Sequence, residues 1–221
     1  MKFGIVRFPG SCDDVDALLA ATRVPGADAE ILWHADADLK GVDAVIVPGG
    51  FSYGDYLRVG AIARFAPVMG EVANFAAHGG LVLGICNGFQ VLCEAGLLPG
   101  ALLPNTSLRF ICRQVNLTVS DPDTPFTSAC GPSLSIPVKH TTGRYYVGPD
   151  QIGSVKVLMR YAKGENPNGS LDDIAGVCNE AGNVFGLMPH PEHAVDLLTG
   201  SDDGLRIFES MAAHARDRIA V

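Results

Sequence analysis

The chain has 221 residues, of which 48% are hydrophobic and 18% charged, and its 24 acidic residues outnumber 16 Lys and Arg to give a net charge of −8. This composition excludes a disordered chain, and the acidic balance argues against nucleic-acid binding, because phosphate contacts need clustered Lys and Arg. The length predicts a single domain over residues 1–221, with a core large enough to fold without a metal or disulfide.

Strands that alternate with helices are predicted for the first half of the chain. Short apolar runs favour buried strands, and they occur at Lys2–Phe8, Ala29–Trp33, Ala44–Val47 and Leu81–Ile85. Of the helices between them, the first is capped by Ser11 and runs to about Arg23, the second covers about Ala61–Ala77, and the third begins just after Cys86 and ends near Gly96. This alternation is typical of a parallel sheet covered on both faces.

The second half is richer in strands than in helices. The predicted strands are Arg109–Val119, Ser133–Lys139, Ser154–Tyr161, Ile174–Cys178 and Val184–Met188. A last amphipathic helix follows Ser201-Asp202-Asp203, which are suited to cap it. The predicted fold class is therefore α/β, with an open, mostly parallel sheet, helices on both faces and a mixed or antiparallel C-terminal extension.

Cys86 is the most informative of the six cysteines. It follows a predicted buried strand, lies between Gly84 and Gly88, and precedes a predicted helix. This G-x-C-x-G pattern is the cysteine version of a nucleophile elbow. The helix N-terminus favours a thiolate, and the N–H of Asn87 is placed to stabilise an oxyanion. The alternative is a buried structural cysteine between chance glycines.

The other cysteines carry no comparable signal. No two have the CxxC spacing of a zinc site, so we expect free thiols in a reducing compartment and no bound metal. The first residues lack a signal-peptide pattern, and polar residues and proline interrupt the most apolar stretch, 81–103. These features predict a cytoplasmic protein that binds neither a membrane nor nucleic acid.

A base for Cys86 is expected at the end of the last predicted strand. His190 and Glu192 are two residues apart in a proline-rich extended turn, so their side chains project the same way. Glu192 would then orient His190 toward Cys86. Three other histidines lack such a neighbour and fit surface or cap positions: His34, His78 and His214.

A glycine-rich loop, Pro48 to Asp55, follows the predicted strand Ala44–Val47. Active sites of open α/β sheets lie at the carboxyl ends of the strands, so the N–H of Gly50 is a candidate second oxyanion donor. A phosphate-binding loop or a plain turn is the alternative, although the loop lacks both GxGxxG and a Walker lysine.

These three elements, in this order, resemble the class I (triad) glutamine amidotransferases, which have a flavodoxin-like fold. Six stretches resemble one branch of them, the glutaminase subunits of phosphoribosylformylglycinamidine synthase in purine biosynthesis: 8–11 (FPGS), 48–58 (PGGFSYGDYLR), 84–90 (GICNGFQ), 103–113 (LPNTSLRFICR), 164–176 (GENPNGSLDDIAG) and 186–192 (GLMPHPE). The second and fifth of these stretches are the most specific to that branch.

The resemblance implies a role for each site residue. Cys86 would attack the side-chain amide of glutamine, Gly50 and Asn87 would hold the oxyanion, and His190, oriented by Glu192, would protonate ammonia and then activate water. Five residues match positions that line the glutamine pocket in such enzymes: Gln90, Asn105, Ser107, Arg109 and Phe110.

The resemblance also implies partners. Ammonia would pass to an ATP-dependent synthetase large subunit that converts formylglycinamide ribonucleotide to formylglycinamidine ribonucleotide, and a small bridging subunit would complete the complex. No cofactor is expected in this chain, and ATP and Mg²⁺ are expected on the synthetase. The alternatives are a class I amidotransferase for another acceptor, a thiol hydrolase or redox protein, and an inert scaffold subunit; the intact Cys86, His190 and Glu192 argue against the scaffold.

Three segments depart from the family's pattern. His140-Thr141-Thr142-Gly143 stands where the family often has His-Gly-Glu-Gly, His193 where arginine usually follows the glutamate, and Ser11-Cys12-Asp13 where Ser-Asn-Cys is common. We expect the first two to alter docking or coupling to the partner, and His193 to be a possible competitor of His190 for Glu192. Three aromatic residues near the glycine-rich loop fit either partner contacts or core positions: Phe51, Tyr53 and Tyr56.

Overall fold

The computed structural model describes residues 1–219, with side chains for residues 1–216. The strands are β1 (Lys2–Arg7), β2 (Asp28–Trp33), β3 (Ala44–Val47), β4 (Leu81–Ile85), β5 (Ala101–Pro104), β6 (Ile111–Val119), β7 (Ser133–His140), β8 (Thr142–Tyr146), β9 (Lys156–Tyr161), β10 (Ile174–Cys178) and β11 (Val184–Leu187). The α-helices are α1 (Asp14–Thr22), α2 (Pro67–Ala77), α3 (Asn87–Glu94) and α4 (Leu205–Ile219). Each strand that the sequence predicts begins and ends within two residues of its expected bounds.

Nine of these strands form one sheet, in the order β2-β1-β3-β4-β11-β10-β9-β6-β7. The first five pair in parallel, whereas each later neighbour pairs antiparallel. β3, β4, β10 and β11 are buried along their whole length, which explains their continuous apolar sequences. The predicted α/β fold class, with an antiparallel C-terminal extension of the same sheet, is confirmed.

Two predicted helix starts are wrong. Ser11 does not cap α1, because its Oγ accepts a hydrogen bond from the N–H of Phe8 at 3.0 Å and the helix begins only at Asp14. The segment from Ala61 does not continue into α2, because Pro67 forces the preceding residue into an extended conformation. A short 3-10 turn at Ala63–Phe65 precedes that break.

The pairing of β5 with β8 was not predicted. These short strands form a separate antiparallel sheet in which Leu102 lies opposite Tyr145. Both strands are only partly buried and flanked by turns, so neither has a clear apolar period. β8 begins at Thr142, whose carbonyl accepts a hydrogen bond from Gln90 on α3.

The topology gathers the predicted site at one edge of the sheet. The segments that follow β1, β3, β4 and β11 all leave the parallel part of the sheet at the carboxyl ends of its strands, where ligand sites of such sheets lie. Cys86, His190 and Gly50 come from three of these segments. Within the described residues, no helix combines the length and the apolar character that a membrane crossing requires.

Candidate active site

Cys86 occupies a strained turn between β4 and α3. Its φ of 49° and ψ of −103° lie in a region that residues other than glycine rarely adopt. The N–H of Cys86 donates to the carbonyl of Leu187 at 2.8 Å, and its carbonyl accepts from the N–H of Gln90 at 3.2 Å. The cysteine therefore stands at the N-terminus of α3, as the predicted nucleophile elbow requires.

Gly88 permits this turn by letting α3 approach β3. A Cβ at position 88 would lie 1.8 Å from the carbonyl oxygen of Val47. No side chain fits that distance, so the second glycine of the elbow is required by packing. The same approach brings the first turn of α3 over the loop that follows β3.

The side chain of Asn87 connects the elbow to that loop. Its Oδ1 accepts from the N–H of Ser52 at 3.1 Å, and its Nδ2 donates to Gln90 Oε1 at 2.9 Å. The loop and the residues just after it are strained, since three non-glycine residues there have positive φ: Tyr53, Asp55 and Leu57. Such strain persists only where the surroundings fix the backbone, and Asn87 supplies part of that support.

His190 is buried and bonded to Glu192. Its Nδ1 lies 2.6 Å from Glu192 Oε1, and both residues are at most 3% exposed. Burial opposes a charged ring, but the carboxylate of Glu192 and the thiol group of Cys86 raise the pKa of His190 to about 10. The imidazole Nε2 has no hydrogen-bond partner among the described residues, which leaves it available for a proton transfer at the cleft.

Cys86 and His190 line the same cleft. The Sγ of Cys86 lies 3.8 Å from the carbonyl oxygen of Lys139. Residues from five segments surround the two: Cys12 and Asp13; Gly50, Phe51, Asp55 and Val59; Gln90; Phe110; and Lys139 to Thr142. A cysteine, a histidine and the carboxylate bonded to that histidine thus come together at one cleft, as the predicted triad requires.

The two predicted oxyanion donors are the backbone N–H groups of Gly50, which lines the cleft, and of Asn87, which follows Cys86 in the chain. The bridge between Ser11 and Gly50 uses the N–H groups of Cys12 and Phe51, which donate to Gly49 and Gly10 respectively. Gly50, with a φ of 144°, contributes none of these hydrogen bonds. Asn87 is the first residue of α3, so its N–H has no intrahelical acceptor. Neither N–H is used in these backbone hydrogen bonds, so Gly50 and Asn87 stay candidate oxyanion donors.

The five predicted pocket residues divide into two groups. Gln90 and Phe110 line the cleft, although the Nε2 of Gln90 donates to the carbonyl of Thr142. Asn105, Ser107 and Arg109 are not among its lining residues. Asn105 is fully buried and bonds His140 and Gly143 instead, so it shapes the turn that carries Thr141 and Thr142.

His140 and Asn168 support the cleft, a role that the sequence analysis did not predict for either residue. Burial lowers the pKa of His140 to about 4, and the nearby His190 acts in the same direction. The His140 Nδ1 lies 3.0 Å from Asn105 Oδ1, and its Nε2 lies 3.4 Å from Asn168 Nδ2. Asn168 also donates to the carbonyl of Gly143 at 2.8 Å. The stretch GENPNGS, which resembles one family, was the available signal for this role.

Asp13, Lys139 and His193 form a hydrogen-bonded group beside His190. Lys139 Nζ donates to Asp13 Oδ1, and His193 Nε2 lies 3.3 Å from the same oxygen. His193 Nε2 is 3.5 Å from Glu192 Oε1, against 2.6 Å for His190, so His190 has the shorter contact with Glu192. The sequence offered no periodic or motif signal for Lys139.

Four of these side chains have the ligand types of a metal site. The donor atoms of Asp13, His190, Glu192 and His193 all lie within 4.8 Å of one another. The ammonium of Lys139 bonds Asp13 within this cluster, and a second cation there would meet its repulsion. The carboxylates of Asp13 and Glu192 therefore contact the Lys139 ammonium and the rings of His190 and His193.

The three aromatic residues of the glycine-rich loop do not share one environment. Phe51 and Tyr56 are 50% and 74% exposed, whereas Tyr53 packs against the core and lies 2.6 Å from His34 Nδ1 through its hydroxyl. Leu57 and Leu108, which are 92% and 80% exposed, also project from the loops around the cleft. These loops present apolar side chains to solvent, as interaction surfaces do.

The chain is similar to known proteins over nearly its whole length. The family model of the CobB/CobQ-like glutamine amidotransferase domain matches residues 1–212. The phosphoribosylformylglycinamidine synthase subunit PurQ of Rubrobacter xylanophilus is 60% identical over 98% of this chain and 100% of its own length. The subunit of the same name from Mycobacterium bovis is 61% identical over 95% of each chain.

A solved structure agrees with these similarities. The structure of PurLQS from Thermotoga maritima contains a chain that matches with a TM-score of 0.89 and 46% identity, over 96% of this chain and 98% of that one. Both the fold and the sequence are therefore shared along the whole cleft-bearing region. The chain belongs to the CobB/CobQ-like glutamine amidotransferase family, among the PurQ subunits of phosphoribosylformylglycinamidine synthase.

Proposed function

We propose that this chain is the glutaminase subunit of phosphoribosylformylglycinamidine synthase, which hydrolyses glutamine to glutamate and ammonia in purine biosynthesis. The observation that carries this proposal is the shared cleft of Cys86, on its strained elbow, and the buried His190–Glu192 pair. The similarity to PurQ subunits and to a chain of the PurLQS structure supports the assignment of this glutaminase to that synthase complex.

In the first half-reaction, the Cys86 thiolate attacks the side-chain carbonyl carbon of glutamine, and the carbonyl π electrons move to oxygen. The N–H groups of Gly50 and Asn87 stabilise this oxyanion. When the tetrahedral intermediate collapses, the C–N bond breaks and protonated His190 gives its proton to the departing nitrogen, which leaves as ammonia. The product on the enzyme is a γ-glutamyl thioester on Cys86.

In the second half-reaction, neutral His190 takes a proton from water, and the hydroxide attacks the thioester carbon. The second tetrahedral intermediate expels the Cys86 thiolate, so glutamate leaves and the thiolate–imidazolium pair is restored. Glu192 holds the same ring nitrogen of His190 throughout, which keeps Nε2 directed at the cleft. His190 therefore acts as the acid in the first half-reaction and as the base in the second.

Ammonia passes from the cleft to a synthetase large subunit, with a small bridging subunit in the complex, and ATP and Mg²⁺ bind to the synthetase. Free ammonia in neutral water is mostly protonated, so this transfer needs a shielded route between the two subunits. The exposed side chains of Phe51, Tyr56, Leu57 and Leu108 provide an apolar rim for docking near the cleft. We place the complex in the cytoplasm, where the six free cysteines would stay reduced.

Replacing Cys86 tests this function. In the complex with the synthetase, Cys86→Ala is expected to abolish glutamine-dependent synthesis and to spare synthesis from added ammonium chloride. Cys112→Ala, which changes an exposed cysteine outside the cleft, serves as the matched control and retains both activities. Retention of glutamine-dependent synthesis by Cys86→Ala would contradict the proposal, and a complex that uses a different acceptor would favour another class I amidotransferase.

A further inference from the structure

Asp13 is a buried carboxylate beside His190 that the mechanism above does not use. It lies just before α1 and is 3% exposed, with its Oδ2 at 3.6 Å from His190 Nδ1. Glu192 Oε1 is on the same ring nitrogen at 2.6 Å. His190 therefore faces two carboxylates at one edge of its ring. At these distances a buried anion favours the protonated imidazole.

The carboxylate of Asp13 is charged and fixed in place. Its Oδ1 accepts from Lys139 Nζ and from His193 Nε2, and its backbone N–H donates to the Gly49 carbonyl at 3.3 Å. Burial opposes the charge, but the hydrogen bond from His193 and the charges of His190 and Lys139 hold the pKa of Asp13 well below its usual range. A single orientation thus presents Oδ2 to His190 while Oδ1 is occupied.

Gly49 keeps the space between Asp13 and His190 open. A Cβ at position 49 would lie 2.3 Å from Asp13 Oδ2 and 2.8 Å from His190 Cε1. Any side chain at this position would have to displace the carboxylate or the ring. Because Gly49 directly precedes the oxyanion donor Gly50, the backbone of the oxyanion loop and the Asp13–His190 contact are built together.

We infer that Asp13 is a positioning residue for His190, and that its carboxylate holds the imidazolium in place together with Glu192 while it neutralises Lys139. This inference rests on the proposed function. Titratable or charged groups from every neighbouring segment face this imidazole: Cys86, Asp13, Lys139, His140, Glu192 and His193. Without Asp13, the ammonium of Lys139 would lose the carboxylate that it bonds and would remain beside the protonated ring.

The alkaline limb of the pH profile tests this role. In the complex with the synthetase, the kcat/KM for glutamine hydrolysis should fall at high pH as His190 loses its proton. A unit charge at 3.6 Å shifts a pKa by about three units at an effective dielectric constant of about 20. Lys139 cancels part of that effect, so Asp13→Asn is expected to move the limb to lower pH by about one unit.

Two further variants provide a control for this test and a second measurement of the role of Asp13. Asp14→Asn is the matched control, since Asp14 is the next residue, is also buried, and pairs with Arg7 outside the cleft. Its limb is expected at the wild-type pH. Lys139→Met removes the positive charge and leaves Asp13, so its limb is expected at the wild-type pH or above, which remains measurable if Asp13→Asn does not fold.

The outcomes separate this inference from the proposed function. The role of Asp13 would be overturned if the alkaline limb of Asp13→Asn lay at the wild-type pH. It would also be overturned if the limb of Lys139→Met lay at a lower pH than that of the wild type. Asp13→Glu, which restores the carboxylate, is expected to return the limb toward the wild-type pH. Absence of Cys86-dependent glutamine hydrolysis in the wild-type complex would instead refute the proposed function itself.

Discussion

Replacing Glu192 by Gln removes the charge closest to His190 and keeps the shape of the side chain. The amide oxygen can still accept from Nδ1 at the present separation of 2.6 Å. A carboxylate at this distance typically raises the pKa of its partner by about 1–3 units, which corresponds to about 1.4–4 kcal/mol of imidazolium stabilisation. From the value of about 10 for His190, the pKa should fall to between about 7 and 9.

The rate at which a diazoketone analogue of glutamine alkylates Cys86 reports this change. At pH 9, a fall of two units would reduce the protonated fraction of His190 from about nine-tenths to about one-tenth. The labelling rate of Glu192→Gln should therefore decline at a pH about two units below that of the wild type. Glu165→Gln is the control, because Glu165 bonds Asn116 on β6, outside the cleft.

The pH dependence of the unfolding free energy is a second measure of the charge on His190. The folded-state pKa of His190, about 10, lies above its ordinary value of 6.5. Its contribution to stability is therefore complete below about pH 6.5 and is lost as the pH rises toward 10. The unfolding free energy of the wild type should fall over this range by more than that of Glu192→Gln. Coincident pH profiles for the two proteins, in labelling and in stability, would refute the assignment of an imidazolium at His190.

Three other substitutions have expected outcomes. Asn105→Ala leaves buried hydrogen-bonding groups of His140 and Gly143 without a partner. We therefore expect the free energy of unfolding to fall by about 2–4 kcal/mol and the melting temperature by about 5–15 °C. An unchanged melting temperature would show that the hydrogen bonds of Asn105 are dispensable. Gly88→Ala should prevent folding or displace α3, seen as loss of soluble protein or of Cys86 labelling, because its Cβ would meet the Val47 carbonyl; normal labelling would contradict the close approach. Leu57→Asp should weaken binding to the synthetase in sedimentation or titration calorimetry without changing the labelling of the free chain, and unaltered affinity would place docking elsewhere.

The parallel part of the fold was predictable because burial on both faces leaves a plain trace in the sequence. β3, β4 and β11 are continuous apolar runs, and their bounds follow from the glycines and polar residues that flank them. β5 and β8 could not be found this way, since each is short, partly exposed and stabilised by the other strand. The start of α1 was predicted wrongly because the Ser11 hydroxyl could accept a hydrogen bond either from the first turn of a helix or from the N–H of Phe8. In the structure it accepts from Phe8.

The candidate site shows the same division. Cys86, His190 and Glu192 are recognisable because an elbow and an extended His-Pro-Glu turn impose local spacing rules. Asp13 and Lys139 are 126 residues apart in the chain, and only the completed sheet brings them together. Asn105 belongs to a recognisable motif, but the motif does not say where its side chain points. In the structure that side chain bonds His140 and is not part of the cleft lining.

The central claim is that Cys86 is a nucleophile directed at glutamine. The most direct measurement is the intact mass of the chain, in complex with the synthetase, after treatment with the diazoketone analogue, with Cys86→Ala in parallel. We predict a single adduct on the wild type that excess glutamine prevents and that is absent from the variant. An adduct that persists in Cys86→Ala, or no adduct on the wild-type complex, would contradict this account.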